Sequence, residues 1–220
     1  LGGFGRPFFG ELKMWQRLLF VLRFWMLNPM QSPLPILILI ALLVILPRGS
    51  WADERCEEFA ALEDGQFAVM QHGYQVGREH NLGYTMAALA LQESESGKYL
   101  VNLNDPSFGP WQVTVGNIVH FRGEGREVSD WSRDRMIERM MTDIRWSAET
   151  ALQVLLYWDD YHNRTGTYES LSEYWVNLWG SYNAGIYYSG TTGRAYADEV
   201  QRLVRNLSLC NVFGYLESGV

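Results

Sequence analysis

Residues 82–97 read LGYTMAALALQESESG, an apolar helix pattern that runs into two glutamates and stops at a glycine. Leu82, Met86, Leu89 and Glu93 fall at i, i+4, i+7 and i+11, so Glu93 shares a helix face with three apolar side chains. Glu95 follows two residues later, about 200° further around a 3.6-residue helix, and points to water. Gly97 ends the helix in this reading, which leaves Glu93 in the last turn. Two effects then act on Glu93 in one direction. Burial disfavours its charged form, and so does the negative end of the helix dipole. A carboxyl raised toward neutrality is what a general acid requires. The plain alternative is a helix-end glutamate that simply reaches solvent.

The surrounding chain reads as mainly α, with this apolar helix at its centre. Residues 67–80 place Phe67, Met70 and Tyr74 on one stripe. Residues 135–160 carry Ile137, Met141, Ile144, Ala148, Ala151, Leu155 and Trp158 at spacings of three and four, with a break expected near Thr142. Ser170-x-x-Glu173 is a capping box. Leu171, Trp175, Leu178 and Tyr182 follow on one face until Asn183-Ala184-Gly185 stops the helix. A last helix over about 194–207 turns Tyr196, Val200, Leu203 and Leu207 inward. Alternation of period two is too short for a long strand, so at most a short hairpin is expected within 99–115.

Charge divides the chain. Residues 1–52 hold five Lys/Arg and one Asp/Glu, whereas 53–220 hold 13 Lys/Arg and 24 Asp/Glu, a formal 13 − 24 = −11. So acidic a domain lacks the basic footprint of nucleic-acid binding. The front segment contains an unbroken apolar run, 34–46, behind Lys13, Arg17 and Arg23 and ahead of Ser50-Trp51-Ala52. That order matches an export signal cleaved after Ala52, giving a mature start at Asp53. An uncleaved anchor, extended by the apolar residues 15–27, is the alternative; Pro29 and Pro33 interrupt it. Behind such a signal, Cys56 and Cys210 read as a disulfide tying the two ends of the domain. In a reducing compartment they would instead be two buried thiols. The domain division is therefore 1–52, an export or membrane segment, and 53–220, one helical domain.

Three motifs occur in order. They are Gln92-Glu93-Ser94, then Ser107-Phe108-Gly109-Pro110-Trp111-Gln112-Val113, then Ser181-Tyr182-Asn183-Ala184-Gly185. Together they resemble the lytic transglycosylase family with the SLT, goose-lysozyme-like fold. That family shows Glu-Ser at the end of a buried helix, a Ser-x-Gly-x-x-Gln loop and an Ala-Tyr-Asn-Ala-Gly segment. The resemblance covers about residues 67–205. It implies a catalytic acid/base at Glu93, with Ser94 as its neighbouring serine. It places Ser107, Gly109 and Gln112 in the loop lining a glycan groove. It assigns to Tyr182 a hydrogen bond to the catalytic carboxylate, with Asn183 beside it. Pro110-Trp111 stands where the family usually has Leu-Met, and Ser181 where Ala is common. Trp111 either stacks on a sugar or fills the core.

The implied substrate is the glycan strand of bacterial peptidoglycan, cut between N-acetylmuramic acid and N-acetylglucosamine. Glycosidases in general use two carboxylates. Asp105 is the nearby candidate for a second, but Asn104-Asp105-Pro106-Ser107 is first a turn sequence. The resemblance therefore implies one glutamate acting as acid and then as base, closing a 1,6-anhydro ring with no cofactor and no metal. His72, His80, His120 and His162 show no ligand spacing and read as surface or packing residues. Other readings stay open: hydrolysis by a goose-type lysozyme, a non-catalytic glycan-binding or docking module, or a membrane-anchored assembly factor. The implied setting is the periplasm or cell envelope. Single-domain enzymes of this type resemble those serving secretion, conjugation or phage-entry machines.

Overall fold

The structure, a computed structural model, describes residues 54–123 and 126–217. The apolar run 34–46, the cleavage point at Ala52 and the start at Asp53 lie outside the described residues. Within them, no helix is long and apolar enough to cross a membrane.

The domain is mainly helical with a small sheet. In chain order the elements are α1 (Glu54–Ala60), α2 (Asp64–Gly77), a 3-10 turn (Arg78–His80) and α3 (Gly83–Ser94). Then come β1 (Val101–Asn102), β2 (Ser107–Phe108), β3 (Val113–Thr114), α4 (Val115–Arg122) and α5 (Asp130–Thr142). The remainder is α6 (Ile144–Thr165), α7 (Leu171–Ala184), a 3-10 turn (Gly185–Tyr187), α8 (Thr191–Leu209) and α9 (Gly214–Glu217).

Helix α3 is central because its sequence is apolar nearly all round. Met86, Ala87, Ala88, Leu89 and Ala90 are each fully buried, as expected of a helix with no solvent face. It packs between α2 and α8. The approach of α2 is close at Gly73, where a Cβ would lie 2.8 Å from the Trp111 ring and 3.1 Å from the Met86 carbonyl oxygen. Trp111 fills that gap, fully buried, and its indole N–H donates to the Met86 carbonyl at 2.8 Å. Of the two roles open to Trp111, it therefore takes the core one.

The expected break near Thr142 falls at Asp143. That residue ends α5 and caps α6, its carboxylate accepting from the Trp146 N–H at 3.0 Å. The acidic cap suits the positive helix start, and Arg139 closes on the same carboxylate. Ser170 caps α7 as its sequence foretells, accepting from the Glu173 N–H at 3.2 Å. Leu171 departs from expectation: it is 59% exposed. As the first residue of α7 it precedes the turn where Trp175, Leu178 and Tyr182 meet the core.

The hairpin expected in 99–115 is a three-stranded antiparallel sheet in the order β1-β2-β3. Val101 pairs with Phe108 and Phe108 with Val113. Two-residue strands are too short to display alternation, so the sequence shows the turn residues better than the strands. Asn102 Oδ1 accepts from the Asn104 N–H at 3.1 Å and forms the turn between β1 and β2.

Cys56 and Cys210 form a disulfide, with Cα atoms 5.7 Å apart and 154 residues between them in sequence. Beside it, Arg202 Nη1 stands 3.1 Å from Glu58, so α1 is held to α8 by a covalent bond and an ion pair.

Candidate active site

The end of α3 is built by an uncommon backbone. Glu95, Ser96 and Gly97 all have positive φ, at 49°, 56° and 88°. Left-handed backbone costs an L-residue about 1–2 kcal/mol, so two of these three positions store strain. The compensation is visible. Glu95 N–H donates to the Leu91 carbonyl at 3.0 Å and Ser96 N–H to the Ala90 carbonyl at 2.8 Å, satisfying carbonyls a helix end would leave open. Gln66 Nε2 donates to the Glu95 carbonyl at 2.8 Å.

The helix ends at Ser94, before the Gly97 stop expected from the sequence, and Glu95 turns to solvent because it is the left-handed cap, not because of its angle on the helix. The Glu95 side chain is 55% exposed and paired with Lys98 at 2.9 Å. Glu93 lies inward, on the side of Leu82, Met86 and Leu89, which are at most 3% exposed. Burial pushes the Glu93 carboxyl up to about 7, a hydrogen bond from Tyr196 opposes that, and the nearby Asp105 charge adds to it. Asp105 itself is an exposed turn residue whose N–H faces Asn102.

The expected tyrosine partner differs. Tyr182 OH donates to the Trp111 carbonyl oxygen at 2.8 Å, not to the carboxylate. Tyr196 of α8 makes that bond, donating to Glu93 Oε1. Both phenols are held well above their ordinary pKa, by burial first and then by the Glu93 charge, so both remain donors at any physiological pH. The carboxyl thus sits beside two tyrosines, one orienting it and one holding the loop next to it. The correction has a geometric reason. Tyr182, on α7, reaches the 109–112 loop, and α8 packs directly on α3.

Ser94 ties the loop to the helix. Its buried hydroxyl donates to the Pro110 carbonyl at 2.7 Å and accepts from the Gly97 N–H at 2.6 Å. Ser107, Gly109 and Gln112 form a closed unit. Ser107 Oγ donates to Gln112 Oε1 at 3.0 Å, and Gln112 Nε2 donates to the carbonyls of Tyr99 at 3.0 Å and Gly109 at 2.9 Å. Gly109 is buried with φ 80°, and a Cβ there would lie 2.5 Å from the Met140 carbonyl oxygen. These three residues set the loop's shape, their polar groups being satisfied within it. Asn183 is exposed at the end of α7. Tyr99 and Leu103, before and within the turn that leads to β2, and Ile186 and Tyr187, just after α7, are exposed apolar side chains.

Ser181 has its own explanation. Its hydroxyl meets His162 Nε2 at 2.9 Å, while His162 Nδ1 meets Thr167 Oγ1 at 2.6 Å. His162 is fully buried, and burial lowers its pKa, so the ring is neutral and structural. Among the described residues, no group of three or more His, Cys, Asp or Glu stands together as a metal site. No family model, curated protein or solved structure matches the chain. The functional reading therefore rests on the chemistry of Glu93 and its neighbours.

Proposed function

We propose that the chain is a peptidoglycan lytic transglycosylase with an SLT-type, lysozyme-like domain. The observation carrying this reading is Glu93: a partly buried carboxyl at a helix end, pushed up to about 7 and held by a tyrosine hydroxyl. At neutral pH such a group is populated in both forms, the condition for giving and then taking a proton. Protonated Glu93 delivers its proton to the glycosidic oxygen as the bond to N-acetylmuramic acid breaks. The resulting carboxylate accepts the proton of the C6 hydroxyl of that sugar. The C6 oxygen then bonds to C1 and closes the 1,6-anhydro ring. The acid is regenerated for release of the N-acetylglucosamine-ended fragment, and the atoms balance without water or a cofactor.

Tyr196 orients the carboxyl through this cycle. Ser94, Ser107, Gly109, Gln112 and Tyr182 keep the adjoining loop in register. Asn183 and the exposed Tyr99, Leu103, Ile186 and Tyr187 offer polar and flat apolar surface to a sugar chain. The disulfide supports an oxidising compartment, in keeping with export to the periplasm or cell envelope and with service to an envelope-spanning machine. Digestion of purified sacculi followed by mass spectrometry of the fragments tests the reading. Anhydro-muramic ends are expected. Reducing ends would make the enzyme a hydrolase, and intact sacculi would make the domain a binding module.

A further inference from the structure

One well-formed cavity stands apart from the Glu93 site. It has a volume of about 670 Å³, lies among α4, α5 and the start of α6, and is lined by neither Glu93 nor the 107–112 loop. Its walls combine cations with aromatic faces. The guanidinium groups of Arg122 and Arg139 lie 4.8 and 5.0 Å from the Trp146 ring centre. Arg135 lies 5.6 Å from that of Trp131. Such contacts fix a flexible cation over an aromatic face.

Two of the arginines are further anchored from behind. Arg122 Nε donates to Thr150 Oγ1 at 2.7 Å and its Nη2 to the Trp146 carbonyl at 3.0 Å. Arg139 closes on Asp143 at 3.0 Å. A guanidinium has five N–H donors, so these bonds place it without exhausting it. Arg135 is held more loosely, its Nε 3.9 Å from Glu138. Trp131 is 71% exposed, an indole face open to solvent on the rim of a cationic cavity.

The lining brings Arg122, Arg135 and Arg139 together with one carboxylate, Glu138, while Glu149 at 3.7 Å and Asp143 at 3.0 Å pair with Arg122 and Arg139 from outside the lining, in a domain whose formal charge over residues 53–220 is −11. That contrast marks an anion-receptive site on an otherwise repelling surface. Glu138 narrows the ligand. A phosphate dianion would sit against its charge, whereas a ligand carrying both a carboxylate and an ammonium satisfies both signs.

We propose that this cavity binds a short zwitterionic peptide, its carboxylates on Arg135 and Arg139, its amine on Glu138 and its aliphatic part on Trp131 and Met136. Arg–carboxylate pairing can be bidentate, which gives orientation as well as attraction. Identifying that peptide as the stem peptide of peptidoglycan, with its diamino acid, rests on the function proposed above. Helix α5 links the two places: it carries the cavity's Arg135 and Arg139 and also Met140, whose carbonyl abuts Gly109 of the site loop. A peptide seated here would engage the substrate through its side branch and leave the glycan to Glu93.

The test titrates the full chain with free stem tetrapeptide, read by tryptophan fluorescence and calorimetry. Saturable binding is expected, weakened roughly tenfold or more by W131A and by R135A, with circular dichroism unchanged in both exposed-site variants. Glycerol phosphate and chitotetraose should not displace the peptide. Absence of saturable binding, binding indifferent to both variants, or displacement by glycerol phosphate would each overturn the proposal. The free peptide has no glycosidic bond. Peptide binding without cleavage of sacculi would therefore sink the proposed activity and leave the cavity assignment standing, and the reverse result would do the opposite.

Discussion

The hydroxyl of Tyr196 donates to a carboxylate oxygen of Glu93, joining α8 to the end of α3 across 103 residues of chain. The bond favours the ionised carboxylate and so holds the Glu93 pKa below the value burial alone would give. Tyr196→Phe removes that support. The Glu93 pKa should then rise above about 7, and the falling limb of the pH–rate profile, where the acid ionises, should move to higher pH. Turnover should fall about tenfold or more as the carboxyl loses its orientation. Tyr182→Phe should leave that limb in place. Its cost should appear as lost stability of about 1–3 kcal/mol, because the Trp111 carbonyl loses its donor. A pH–rate series on purified sacculi with thermal melts separates the two.

Glu93→Gln should abolish nearly all lytic activity, since an amide cannot deliver the proton. Glu95→Gln should retain most of it, because Glu95 faces solvent and pairs with Lys98. Stability should move the opposite way. The Glu93 pKa is raised on folding from 4.5 to about 7. Its contribution is therefore fully present below pH 4.5 and lost as pH rises through 7. The shift corresponds to about 3 kcal/mol. Glu93→Gln removes the titrating group, so at pH 8 the variant should melt above the wild type, with the difference shrinking toward pH 5. A difference independent of pH would show that Glu93 does not carry the shift.

The Cys56–Cys210 bond closes a loop of more than 150 residues, for which chain-entropy arguments give roughly 5 kcal/mol as an upper figure. Native protein alkylated without reductant should label neither cysteine. Reduction should lower the melting temperature and loosen α1 first, since Glu58–Arg202 is a partly exposed pair worth at most about 1 kcal/mol. Unchanged melting after complete reduction would show that packing alone holds the ends.

Ser181 and His162 should behave as a coupled pair. Ser181→Ala leaves the fully buried His162 Nε2 without its partner, at a cost of about 1–3 kcal/mol. Substituting His162 as well by an apolar residue should recover part of that loss. The coupling is read from a double-mutant cycle in denaturant.

Much of the candidate site is legible in the sequence because helical period carries angular information. It turns Glu93 and Tyr196 inward and breaks the long amphipathic run near Thr142, whereas the left-handed cap that sends Glu95 outward is not visible in it. What it does not carry is the fate of a hydroxyl. Tyr182 and Tyr196 both read as inward aromatics, and nothing in local spacing says which phenol meets a carboxylate on another helix. Likewise Ser107 and Gln112 show a loop motif, but their mutual hydrogen bond depends on the left-handed backbone at Gln112, φ 44°, which a glutamine does not announce. Helix α4 is missed because eight residues give barely two turns, while the cap that starts it, Thr114 accepting from the Asn117 N–H at 3.4 Å, carries no acidic partner to flag it. The third strand beyond the expected hairpin fails to show for the same reason of length.

Two glycines should respond oppositely to one added methyl group, and the contrast tests whether the loop beside Glu93 is held by close packing. At Gly109 a Cβ would lie 2.5 Å from the Met140 carbonyl and 2.8 Å from Ser147 Oγ, on a backbone with φ 80°. Backbone cannot yield as a flexible side chain does, and left-handed geometry adds about 1–2 kcal/mol for an L-residue. Gly109→Ala should therefore destabilise by several kcal/mol in all, about the upper end of single substitutions, and should depress activity beyond the loss of folded protein by displacing Pro110 from Ser94. Gly116, in α4, has nothing within 4 Å of its would-be Cβ. Gly116→Ala should stabilise by up to about 1 kcal/mol through helix propensity, with activity unchanged. Chemical denaturation and sacculus turbidity on both variants decide it. A benign Gly109→Ala would mean that the loop tolerates displacement and that its closeness to α5 is not what fixes the site.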